Sequence, residues 1–142
     1  MLIAKVLHVI GNILWLGGGA TAALVMLRMA REPRETQVKV AAAVRTVALQ
    51  CVTPGMLLSF AGGLYMLLTQ WSSFYAKQPW MHAKLTVGLV AAAFSGVLSG
   101  KLRRAASGEG EIQGGAMGAA AAVLILSAVA GVLLVFLRFG AR

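Results

Sequence analysis

The sequence predicts an all-α integral membrane protein, a bundle of four transmembrane helices forming a single domain over residues 1–142. Three observations lead there. The chain is 59% apolar and only 12% charged, with a mean hydropathy of +0.82, whereas a soluble domain carries about 25% charged residues. It holds four apolar runs, each near the roughly 20 residues that cross a bilayer as a helix. None of the runs alternates apolar with polar, and an open sheet in lipid would leave backbone groups unsatisfied.

The first span is expected at about residues 2–27. A signal-peptide reading fits it poorly, because its n-region is weak and its apolar stretch, carrying His8 and Asn12, is too long. The polar segment "RMAREPRETQVK" follows and contains Pro33. The second span is expected at about 40–68, with Pro54 and Gly55 in its middle. Pro54 lacks an N–H and should kink the helix. "TQWSSFYAKQPW" then makes a short aromatic connection, in which Trp71, Tyr75 and Trp80 suit the membrane interface. Pro79 suits the first turn of the third span, expected at about 80–99. "KLRRAASGEGEIQGG" reads as a loop, and the fourth span is expected at about 116–137.

Charge distribution orients the bundle. There is no Asp, and the four acids, Glu32, Glu35, Glu109 and Glu111, all lie between spans. The loop between spans one and two holds Arg28, Arg31, Arg34 and Lys39; that between spans three and four holds Lys101, Arg103 and Arg104. The other side offers Lys5, Lys77, Arg138 and Arg142. Seven cations against four put both basic loops in the cytoplasm and both termini outside it, in a bacterial inner membrane. The net charge of +9 therefore reads as topology signal and anionic-lipid contact, not as nucleic-acid binding. The single Cys51 forms no internal disulfide.

Small residues suit close helix packing: Gly17 to Gly19, Gly62 and Gly63, and the spacings Gly96-x-x-x-Gly100 and Gly114-x-x-x-Gly118. They also suit room for a flat cofactor, or self-association into a homo-oligomer.

Ionisable groups inside a span cost about 2.5–3.5 kcal/mol at the bilayer centre, so each is a functional candidate. On a helix, His8, Gly11, Asn12, Trp15, Gly18, Gly19 and Ala22 share one face, which should turn inward. His8 then either bonds a backbone carbonyl or serves as a ligand. His82 and Lys84 are two residues apart, about 200° around the axis, so only one can face the bundle. Spans one and three start on the same side, which places His8 near the His82–Lys84 pair. Facing helices of a bundle can hold a cofactor, and a His with a second His or a Lys can ligate haem iron. Arg45 reads as snorkelling to the basic loop or pairing with a ligand carboxylate. No span carries a carboxylate, and there is no phosphate loop, Cys pair or His-Glu metal motif. His8, His82 and Met81 give limited support to copper handling.

"AKVLHVIGNILWLGG", "TPGMLLSFAGGLYML" and "QPWMHAKL" together resemble the HemJ-type protoporphyrinogen IX oxidase family over about residues 4–104. The resemblance rests on a first-helix His followed by Trp-x-Gly, a Thr-Pro turn before a Gly-rich stretch, and a Trp-x-His-x-Lys-Leu signature. It implies a helical membrane protein that binds haem b and oxidises protoporphyrinogen IX to protoporphyrin IX by six electrons, passed to a respiratory-chain acceptor. His8 and Lys84 match the residues that matter most there, as iron ligands or catalytic groups. His82, Trp15 and Asn12 would line the tetrapyrrole, and Arg138, or less favourably Arg45, would meet a propionate. The pattern departs at "ATAALVMLRMA", at "EIQGGAMG" and at "FSG", where Ser95 stands in place of a His. A second reading is thus a non-enzymatic haem, electron-transfer or partner-binding subunit, similar to CopD-like four-helix membrane proteins.

Overall fold

A computed structural model describes the backbone of residues 1–72 and 75–140 and the side chains of residues 1–72 and 75–136. Four long helices account for almost all of it: α1 (Leu2–Met29), α2 (Arg34–Gln70), α3 (Pro79–Ala106) and α4 (Gly114–Gly140). Each is long and apolar enough to cross a membrane, the arrangement of a multi-pass membrane protein. The helices run beyond the expected spans, most of all at the start of α2 and the end of α3. The expectation ended each span where charge begins. Ala, Gln, Lys and Arg are good helix formers, so the ladder continues past the apolar limit.

Local chemistry sets the ends. Gln78 is extended ahead of Pro79, which opens α3 as its first residue. The last turn of α3 closes onto Ser107–Gly110, where Glu109 and Gly110 both donate to the Arg104 carbonyl. Gly108 takes φ +73° there, a conformation that a Cβ disfavours. Arg34, at the start of α2, donates to the carbonyls of Gly108 and Gly110 at 2.6 and 2.8 Å. One guanidinium thus ties the two basic loops into one surface.

Pro54 does not break α2. The ladder widens into a π turn at Ala48–Val52 just ahead of it, which accommodates the carbonyl that a proline ring would strike. A second π turn, Ile13–Gly17, interrupts α1. The hydrophobic pattern gave no sign of it.

Neighbouring helices run antiparallel and close a ring. The first half of α1 packs on the second half of α2, and the second half of α1 on α4; α3 packs on the first half of α2 and on α4. The buried core lies in the basic-loop half and is small-grained: Ala20, Ala23, Met26, Ala41, Leu98, Leu102, Ala105, Ala120, Ala121 and Leu124. Trp15 caps this core at mid-height, 3% exposed. Toward the N-terminal end, the α1–α2 seam holds the bundle together.

That seam is built from missing side chains. A Cβ on Gly11 would strike the Ser59 amide and come 2.6 Å from the Gly55 carbonyl oxygen. On Gly55 it would come 2.7 Å from Leu14 Cβ, and on Gly62 2.7 Å from the Ala4 carbonyl oxygen. Gly18 and Gly19 accept Val52 and Leu124, and Gly114 and Gly118 face Leu27. At Gly17, Gly96 and Gly100 a Cβ would meet open space, so the Gly96-x-x-x-Gly100 spacing is not used in packing within the described chain.

Candidate functional site

The inward face expected for α1 is the face observed. Gly11, Trp15, Gly19 and Ala22 are buried, and His8, Asn12 and Gly18 are half-buried. Leu2, Ile3, Val9, Ile13 and Leu24, on the other faces, are exposed.

His8 sits against α2 because Gly62 and Gly63 leave it room. A Cβ on Gly63 would lie 3.0 Å from His8 Nδ1 and Cε1. The Nδ1–H donates to the Ser59 carbonyl at 2.7 Å. A carbonyl only accepts, so this bond fixes the proton on Nδ1. Nε2 then carries the lone pair, and it accepts from Asn12 Nδ2 at 3.1 Å, one turn along the same helix. Asn12 Oδ1 in turn accepts from Ser59 Oγ at 3.0 Å. Three side chains and one carbonyl form a closed ring with every role assigned. Ser59 is 2% exposed, and its hydroxyl would be costly to bury without this partner.

Of the two expectations for His8, the structure shows the first: the imidazole is satisfied by a backbone carbonyl through Nδ1, and its Nε2 lone pair is taken up by Asn12. An imidazole tethered through its other nitrogen is how histidine ligands are usually oriented.

His82 and Lys84 separate as their spacing requires. Lys84 is half-buried and within electrostatic reach of His8. His82 is exposed, donates Nε2–H to the Ala76 carbonyl at 3.2 Å and stands edge-on to Trp71 at 5.8 Å. His82 thus braces the aromatic connection, away from His8. Below the His8 ring, Trp15 Nε1–H donates to Ser95 Oγ at 2.8 Å, and Phe60 lies 5.3 Å from the Trp15 ring. Ser95 donates onward to the Ala91 carbonyl. Trp15 and Ser95 form the floor that joins α1 to α3.

Arg45 is exposed on α2. Arg138 lies on the described backbone of α4, but its side chain is outside the described residues. Among the described residues no three His, Cys, Asp or Glu side chains gather. His8 and His82 point into different surroundings.

No protein-family model, curated protein or solved structure matches this chain.

Ser59 escaped the sequence reading. Its signal was present: Gly55, Ser59, Gly62 and Gly63 fall on one helical face at small-residue spacing. Replacing Ser59 by Ala orphans Asn12 Oδ1 and is expected to cost about 0.6–1.7 kcal/mol, the range for interhelical hydrogen bonds in membranes. Unfolding in graded sodium dodecyl sulfate reads this directly, and a cost near zero would mean that the ring contributes nothing.

Proposed function

We propose that this chain is a haem-b-binding, bacterial inner-membrane protein similar to HemJ, which oxidises protoporphyrinogen IX. In this reading His8 and Lys84 would hold the iron, both termini would lie outside the cytoplasm, and the haem would pass electrons to a respiratory-chain acceptor. The observation that supports the reading is the His8 ring: its Nδ1–H is pinned to the Ser59 carbonyl, so Nε2, now hydrogen-bonded by Asn12, is the nitrogen that would ligate the iron. Lys84, half-buried at the same end, supplies the second nitrogen.

The residues fit the group in donor chemistry. Two nitrogen donors, on the diagonally placed α1 and α3, would suit a haem iron in ligand chemistry. The group on Nε2 is the Asn12 amide, a side chain that rotates about its own bonds, and not a backbone atom. Trp15 and Phe60 give an aromatic wall at the site's floor. Bound haem supplies the electron relay; the protein tunes it through ligands, hydrogen bonds and low dielectric. Ser59 fixes the imidazole tautomer and orientation. Asn12 holds the Nε2 lone pair and would have to turn aside for Nε2 to ligate. The membrane-buried setting supports low water access around the reacting tetrapyrrole.

Rescue of a bacterial strain lacking protoporphyrinogen oxidase tests the activity. The wild-type chain is expected to restore growth without added haem, and Lys84→Ala to fail at equal expression. Haem binding without rescue by the wild type would favour the second reading, an electron-transfer subunit, over the oxidase.

A further inference from the structure

The register of the helices brings four arginines to one level. Contacts such as His8 with Gly62, Gly11 with Ser59 and Gly18 with Val52 fix α1 against α2. That alignment sets Arg45 of α2 level with Val25 of α1, within one turn of Arg28. Met26, Leu102, Ala105 and Met117 line one small cavity, so Arg103 and Arg104 reach the same level from α3. All four arginines are exposed, and they come from three different helices.

Glu35 is in the first turn of α2 and Glu32 just ahead of it; Glu109 follows the end of α3, its amide on the Arg104 carbonyl, and Glu111 lines the same small cavity. Along α2, Glu35 is ten residues before Arg45, about 15 Å at 1.5 Å per residue. Among the described residues the one ion pair is Lys39–Glu35, so none of these four arginines is in an ion pair. Arg34 holds the loop carbonyls beyond them.

The level is also the right one for a membrane surface. Trp71, partly exposed at the far end of α2, is 26 residues from Arg45, about 39 Å along a helix. The hydrocarbon core is about 30 Å thick and the bilayer with headgroups about 40–45 Å. A bilayer seated with the aromatics at one interface has the arginines at the other and leaves the first turns of α2 in water.

We propose that Arg28, Arg45, Arg103 and Arg104 form a belt that binds the phosphates of anionic phospholipid headgroups. Guanidinium matches phosphate geometry by paired N–H donors, and the exposed apolar side chains beside the belt, Leu24, Val25, Val47 and Leu49, suit the acyl chains of the same lipids. This site is independent of the haem reading.

Native mass spectrometry of the full chain in detergent micelles, doped with dioleoyl-phosphatidylglycerol or dioleoyl-phosphatidylcholine, tests it. The wild type is expected to retain the anionic lipid at least about tenfold more than the zwitterionic one. The preference should fall as ammonium acetate is raised, which needs no variant. Changing all four arginines to Gln should abolish it, and changing all four to Lys should keep part of it, with circular dichroism checking the fold of each. Inorganic phosphate at millimolar concentration should not displace the lipid, since it lacks the acyl chains. No preference in the wild type, an undiminished preference in the Gln variant, or full displacement by phosphate alone would overturn the proposal.

Discussion

Gly11→Val is expected to unfold the N-terminal half of the bundle. The added Cβ lands on the Ser59 amide and the Gly55 carbonyl oxygen, both backbone, so no rotamer change relieves it. Overpacking a tight contact costs typically 1–3 kcal/mol, and a clash with two backbone groups belongs at about 3 kcal/mol. It also pries apart the pairing that positions His8 against Ser59. Gly96→Val is the control. A side chain there meets open space within the chain, so its effect is expected within about 0.5 kcal/mol. Unfolding in graded sodium dodecyl sulfate, followed by circular dichroism, compares the two. Equal losses would mean that the α1–α2 seam is not the close contact described.

His8→Ala is expected to abolish haem retention while leaving a folded helical bundle. Without the imidazole, Asn12 and Ser59 keep their own hydrogen bond, so the loss falls on the ligand and not on the seam. At equal haem supply, the haem-to-protein ratio should fall at least about tenfold, the scale on which even outer-shell partners of metal ligands matter. His82→Ala should retain haem, because His82 bonds the Ala76 carbonyl and stands beside Trp71, away from the site. Full occupancy in His8→Ala would reject the assignment of His8. Loss in both variants would instead point to a general disturbance of the N-terminal end.

Much of this architecture was legible in the sequence, and for physical reasons. Long apolar runs in lipid permit little besides helices, and the His8 face could be read because helical periodicity puts residues 8, 12 and 15 on one side. The 200° between His82 and Lys84 required them to diverge, but it did not say which faces inward. That depended on how the aromatic connection folds back to offer the Ala76 carbonyl to His82. The π turns were less legible. Pro54 signalled trouble in α2, yet a π turn and a kink relieve it equally well. Nothing in "ILWLG" distinguishes a π turn from an α turn. Ser59 was missed because a lone Ser in an apolar run is ordinary in composition. Only the pairing of two helices shows that its hydroxyl and carbonyl serve different members of one ring. The helices outrun the expected spans because apolarity marks where lipid ends, not where hydrogen bonding ends.

The central claim is that the tethered imidazole of His8 is a haem ligand in a four-helix membrane bundle. It is tested most directly by a reduced-minus-oxidised absorption spectrum of the wild-type chain, purified in detergent after expression with ample haem. The account predicts sharp α and Soret bands of a low-spin b-type haem. A featureless spectrum from folded, monodisperse protein would contradict it, leaving the His8–Asn12–Ser59 ring as a packing element of the seam.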